Sequence, residues 1–239
     1  HTAWEKPTED GGYVENQNNY SADGYDIYVP PAAVEIKNAD NIKITGCKFS
    51  KLGSIGLKAE TAVQDLDITG NKFTDISGGA MCIGLPGTVY MPEIINPQKY
   101  SASLNNISVK NNYIDGIGNE YRGSAALSVG FVSNSAVEHN EICNIPYSGI
   151  HIGWGWTLVT NSAIENLNVR YNYIHDIMNP DDGLYDGGAI YTLGGTSGNN
   201  LIAENYIANQ MNICAALYAD NGSSNYRIEN NVINEYNVK

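Results

Sequence analysis

The sequence is poor in charge. Only 16% of its 239 residues are Asp, Glu, Lys or Arg, with 13 basic against 26 acidic. A formal net charge of −13 disfavours nucleic acid and anionic membranes as partners, because both require a basic surface. It also weighs against a polyanionic substrate. No apolar run approaches the ~18 residues of a membrane span, so neither a leader nor a transmembrane segment is expected within the chain. Cysteine is scarce. Cys47, Cys82, Cys143 and Cys214 show no CxxC spacing, which argues against a zinc site. They read as small buried packing residues and carry no compartment signal, since a large stacked domain needs no disulfide staple. Phe is rare at 3 while Tyr reaches 17; amphipathic rings suit a sugar-facing surface as well as exposed strands. The 42% of apolar residues suffice for one large globular domain.

A helical period is missing too. In its place a six-residue pattern recurs: ITGCKF (44–49), ITGNKF (68–73), VKNNYI (109–114), VEHNEI (137–142), VRYNYI (169–174), IAENYI (202–207) and IENNVI (228–233). Its fourth position reads Cys47, Asn71, Asn112, Asn140, Asn172, Asn205, Asn231. Such a column marks an internal repeat. A second half-motif follows each copy but the last: GLKAE (56–60), MCIG (81–84), LSVG (127–130), IHIG (150–153), AIYTLG (189–194) and LYADNG (217–222). Two short β half-motifs per repeat predict an all-β solenoid of parallel strands, a β-helix of about six to seven coils spaced ~4.8 Å apart. Asn at one turn can hydrogen-bond its neighbours up the stack. Each bond contributes about 1 kcal/mol net, and the column sets the register.

Residues 1–33 lack the repeat and end at Pro30-Pro31, so they are expected to be an irregular N-terminal segment. The β-helix is expected over 34–239, with loop insertions at 85–102 (holding Pro86, Pro92 and Pro97), 154–163 and 178–185. No caps are visible, and Asn234–Lys239 follow a first half-motif without its second. Both ends therefore read as truncated, with missing flanking segments of the same protein as the nearest partners. In the second half-motif Leu57, Met81, Leu127, Ile150, Ile190 and Leu217 should face the core. Lys58, Cys82, Ser128, His151, Tyr191 and Tyr218 should face outward. Two positions on come Glu60, Gly84, Gly130, Gly153, Leu193 and Asp220. A glycine strip beside a His/Tyr wall predicts a groove, walled by the insertions.

The runs HNEICNIPYSGIHIGWGW (139–156), YNYIHDI (171–177), YDGGAIYTLG (185–194) and ALYADNGSSNYRIENNVI (216–233) resemble right-handed parallel β-helix glycoside hydrolases. The likeness is to glycoside hydrolase family 141 and, more distantly, family 120. VPPAAVEIKNADNIKITGCKFSKLGSIGL (29–57) and NEYRGSAALSVG (119–130) are similar to the same group, and the combination of GWGW with DGGAIY is the more specific part. The resemblance implies a right-handed helix and a secreted or cell-envelope enzyme of bacterial type. It implies cleavage of plant-wall glycans such as xylan, xylosides or fucosylated pectin by two carboxylates. Carried over by motif, these fall on Asp186 and Asp220. Related sequences often read Asp-Glu-Gly where this chain has Asp220-Asn221-Gly222.

Glycoside cleavage needs one carboxyl group to protonate the leaving oxygen and another to attack or to activate water, ~5–5.5 Å or ~6.5–9.5 Å apart. Asp186 and Asp220 sit on successive coils. Yet Asp220 follows its column tyrosine by two residues, and Asp186 precedes its own by five. In straight strands that offset is about 23 Å, so the pair requires Gly187-Gly188 to form a corner that folds Asp186 back. Candidate substrate-binding residues are His151, Trp154, Trp156, Tyr191, Tyr218, Glu120 and Arg122. His139 and His175-Asp176 read as turn residues. No organic cofactor and no metal are expected; Asp181-Asp182 is the one hint of calcium. Two rivals stand beside the hydrolase. A polysaccharide lyase needs clustered cations, whereas Arg122, Arg170 and Arg227 are scattered. The other is a non-catalytic glycan-binding β-helix.

Overall fold

The computed structural model describes residues 14–15, 26–28, 30–84, 88–90, 104–153, 162–179, 185–211 and 215–234. Every element among them is a β-strand. Three parallel sheets dominate. The first has nine strands, beginning with Ala39–Thr45, Val63–Thr69 and Leu104–Lys110 and ending with Gly195–Ala203 and Ser224–Glu229. The second stacks Lys48–Leu52, Lys72–Ile76, Tyr113–Ile117, Glu141–Ile145, Tyr173–Ile177, Tyr206–Gln210 and Val232–Asn234. The third stacks Ala32–Ile36, Ile55–Ala59, Met81–Ile83, Leu127–Val129, Ile150–Gly153, Ile190–Leu193 and Leu217–Ala219. Each strand pairs with the equivalent strand of the next repeat. In the third sheet Val34, Leu57, Met81, Leu127, Ile150, Ile190 and Leu217 are register partners in turn.

The repeat thus spans three sheets, where the sequence pattern showed two half-motifs; in two repeats the first-sheet strand is split, into Val132–Ser133 and Ala136–Glu138 and into Ser162–Glu165 and Asn168–Arg170. The six-residue pattern straddles a corner: it closes a strand of the first sheet and opens one of the second. The corner interrupts the apolar alternation by so little that two strands read as one.

The corner has a definite cause. The residue before each column position is left-handed: Gly46, Gly70, Asn111, His139, Tyr171, Glu204 and Asn230, with φ between 53° and 68°. Glycine adopts this freely, whereas Tyr171 and Glu204 do so at a cost of roughly 1 kcal/mol or more. The amide ladder offsets it. Asn140 Oδ1 accepts the backbone N–H and the side-chain amide of Asn112, both at 3.0 Å. Asn140 Nδ2 donates to Val109 O and to Asn172 Oδ1, again at 3.0 Å. The pattern repeats at Asn71, Asn112, Asn172 and Asn205, all buried. A buried amide that uses both donors and its acceptor leaves no polar group unmatched.

The ladder ends at Cys47, whose N–H donates to Asn71 Oδ1 at 2.9 Å. Its thiol is exposed, against the expectation of a buried packing residue, because no earlier repeat lies over that corner among the described residues. Cys82 and Cys143 are buried. Cys214 lies outside the described residues.

Inside, aliphatic columns from all three sheets merge into one core, with Leu57, Ile68, Phe73, Leu127, Ile150 and Ile174 fully buried. Within residues 1–33 the described residues include two short strands, Val14–Glu15 and Asp26–Tyr28. Ala32–Ile36 already belongs to the third sheet. Val14–Glu15, Asp26–Tyr28 and Thr88–Tyr90 form a small antiparallel sheet, so part of the 85–102 insertion pairs with residues 26–28. Most of the three insertions lies outside the described residues.

Candidate active site

The outward column of the third sheet runs Lys58, Cys82, Ser128, His151, Tyr191, Tyr218, in the register expected from the half-motif. An open groove along its length is not what the structure shows. From Lys58 to Tyr191 these side chains are at most 5% exposed. Gly84 and Gly153 are buried, with φ of 82° and 83°. A Cβ on Gly84 would stand 2.9 Å from Phe131 N. These glycines serve a left-handed turn and close backbone approach, not a groove floor. The column opens only at its last rungs, where Tyr218 and Asp220 are half-buried and Asp186 is exposed.

There each of the two predicted acids is bound by the tyrosine of the other's repeat. Tyr191 OH donates to Asp220 Oδ2 at 2.6 Å, and Tyr218 OH donates to Asp186 Oδ1 at 2.9 Å. Tyr191 and Tyr218 are direct cross-strand neighbours, their rings edge-to-face at 5.2 Å. Each acid is therefore tied to the tyrosine pair from its own end of the strands.

The corner that makes this possible lies at Asp186 itself, with φ 63°. It was expected at Gly187-Gly188. Those glycines supply room instead. A Cβ on Gly187 would stand 2.7 Å from Ser148 Oγ and from the Tyr147 ring, and one on Gly188 would stand 2.5 Å from Ala215 O. Tyr147 OH donates to Asp186 O at 2.8 Å and holds the turn. Asp220 opens a turn closed by Ser223 N–H to Asp220 O at 2.9 Å, with Gly222 at φ 80° in the third position, as a type II turn demands. Buried Gln210 ties the starts of both strands: its Oε1 accepts Ala189 N–H at 2.9 Å and its Nε2 donates to Ala215 O at 3.2 Å.

Tyr147, Gln210 and Ser223 were not singled out from the sequence. Tyr147 was within reach: extending the Ile150–Ile190 register back three residues sets it opposite Gly187. Gln210 carries no such signal.

The electrostatics separate donor from support. Burial first, and the bond to Asp220 second, push the Tyr191 phenol far above its ordinary value, so it remains a donor. Burial depresses His151 to about 3, leaving it neutral. His151 is 5% exposed and packs edge-on against the Tyr191 ring at 4.5 Å. It backs Tyr191; it does not present itself at the surface as the outward reading implied. Trp154, Trp156 and Asp181-Asp182 lie outside the described residues. Glu120 and Arg122 are exposed on a loop after the second sheet. Arg122 lines a cleft of ≈ 390 Å³ with Asn119, Asn144, Pro146 and Asp176. Pro146 precedes Tyr147, so this cleft adjoins the Asp186 turn.

No family model matches the chain. No curated protein matches it. A solved structure described as a glycoside hydrolase is similar to it, with a TM-score of 0.71 and 27% sequence identity over 92% of this chain. The chain spans about two fifths (41%) of that protein's length. The two share an all-β fold, a glycoside hydrolase-like arrangement of parallel strands.

Proposed function

We propose that the three sheets wind as a right-handed parallel β-helix whose last described rungs carry the acid/base pair of a glycoside hydrolase. Asp186 and Asp220 are the catalytic carboxylates: one protonates the leaving oxygen, the other attacks the sugar or activates water. The substrate is a plant cell-wall polysaccharide or oligosaccharide such as xylan, a xyloside or a fucoside. The enzyme works outside the cell or at its envelope, where such polymers are met. Tyr191 and Tyr218 orient the acids, and Arg122 lies along the adjoining cleft.

The observation that carries this reading is that the neighbouring Tyr191 and Tyr218, at the open end of an otherwise covered column, each bind one of two carboxylates. The similarity to a glycoside hydrolase supports it. A lyase is disfavoured by the arginines. Arg170 is bound to Glu138 at 2.9 Å and Arg227 to Glu229 at 3.3 Å, both on the first sheet.

The test is reducing-end release from xylan, pectin, aryl xylosides and aryl fucosides. Release without new ultraviolet absorption is expected. Absorbing unsaturated products would mark a lyase, and glycan binding without release would mark a binding module; either result overturns the proposal.

A further inference from the structure

A separate cluster occupies the outward face of the second sheet. Glu141 and Cys143, two apart on one strand, share a face. Cys143 is the register partner of Asp115 on one side and His175 on the other. The ligand atoms of Glu141, Cys143 and His175 lie within 4.8 Å of one another. Asp115 Oδ1 is 3.7 Å from Cys143 Sγ, and Tyr113 OH is 3.9 Å from it.

The histidine is set up in a particular way. His175 Nδ1 is 2.5 Å from Asp176 Oδ2, and Asp176 Oδ1 accepts Asn209 Nδ2 at 3.1 Å. With Nδ1–H committed to a carboxylate, the lone pair sits on Nε2. That atom is buried and makes no hydrogen bond; Glu141 Oε1 stands 3.5 Å away. A carboxylate behind one ring nitrogen and an unused lone pair on the other is the arrangement that tunes metal-bound histidines. The His175–Glu141 separation of 3.5 Å fits as it stands, and the other two, within 4.8 Å, close by small side-chain rotations. Tetrahedral zinc with bonds of ~2.0–2.3 Å has ligand-to-ligand edges of roughly 3.3–3.7 Å.

We propose that Glu141, Cys143 and His175 bind one divalent transition ion, zinc foremost, with Asp176 orienting the imidazole and the fourth position left to solvent. Thiolate, imidazole and carboxylate together select a borderline-soft ion over calcium or magnesium. Exposed Glu141 gives the ion its way in. Binding to Cys143 displaces the thiol proton, so affinity rises with pH. The site clamps two successive strands, Glu141–Ile145 and Tyr173–Ile177. It is independent of the glycosidase reading. The chain has no CxxC because neighbouring strands, not neighbouring residues, supply the ligands.

The experiment is a cobalt(II) titration of the metal-free chain, followed by zinc. A saturable thiolate-to-cobalt charge-transfer band at one ion per chain is expected, with zinc displacing it and raising the thermal midpoint by about 5–10 °C. Cys143→Ser removes the band, and Asp176→Asn weakens binding by about 10–100-fold. If Cys143→Ser does not fold, a chain with Cys47, Cys82 and Cys214 all changed to Ser keeps the band. No band in the unaltered chain, or a band unchanged by Cys143→Ser, overturns the proposal.

Discussion

Glu60 and Asp220 occupy equivalent places in the repeat, at opposite ends of one column of the third sheet. Their surroundings differ. Two residues before Glu60 stands Lys58, whose Nζ lies 2.7 Å from Glu60 Oε1, close in charge though outside hydrogen-bond angles. Lys37 approaches Glu60 Oε2 at 2.7 Å, and Lys58 also reaches Glu35 at 3.0 Å and Pro30 O at 3.3 Å. Lys58 and Glu60 are at most 5% exposed. Two residues before Asp220 stands Tyr218, and the proton donor to Asp220 is a phenol. The scaffold is the same; the neighbour decides. A cation two residues upstream turns the acid into a buried counter-ion. A tyrosine supplies a hydrogen bond without a countercharge and leaves the acid half-buried.

That contrast can be broken from either end. At the Lys58 end, Lys58→Met removes the buried one of the two cations shared by Glu35 and Glu60 and leaves them only Lys37, and should cost about 3 kcal/mol of unfolding free energy in urea. Adding Glu60→Leu in the same chain should recover most of it, because an apolar pair of similar volume replaces the ion pair. Between the ends, Asn140→Ala removes four ladder bonds and leaves buried groups unmatched, for a loss of about 3 kcal/mol by the same measurement. At the Asp220 end, Tyr191→Phe deletes one hydrogen bond and keeps the ring. Turnover should fall by roughly 10–100-fold, about 1.4–2.7 kcal/mol of barrier, with stability changed by about 1 kcal/mol.

The smallest effect at neutral pH belongs to His151. Its folded value is near 3 against an ordinary 6.5, so the unfolded chain binds the extra proton between those limits. Stability from this group is complete above pH 6.5 and is lost as pH falls toward 3. His151→Phe should match the unaltered chain above pH 6.5 and unfold less readily below it, as read from thermal midpoints across pH.

The register was legible in the sequence because it is written in columns. The Asn ladder and the Leu57-to-Leu217 column name their own neighbours, and strand pairing follows from them. That the repeat spans three sheets and not two was hidden by a corner too tight to disturb the alternation. Asp186 and Asp220 were singled out by motif, yet the tyrosines that bind them were not read as their partners. The exchange through Tyr191 and Tyr218 is a cross-strand arrangement, and a linear pattern does not record which way a side chain leans. For the same reason the groove was overdrawn: a glycine in a strand column can mean open space or close backbone approach, and Gly84 and Gly153 are the latter.

The measurement closest to the central claim is the hydrolysis rate of an aryl xyloside, or of whichever glycan the release screen selects, by the unaltered chain and by Asp220→Asn. Circular dichroism should show both equally folded. A fall of about 10⁴-fold is predicted, the upper range for removing a group that transfers the proton. Equal rates in the two proteins would show that the acid held by Tyr191 takes no part in the chemistry.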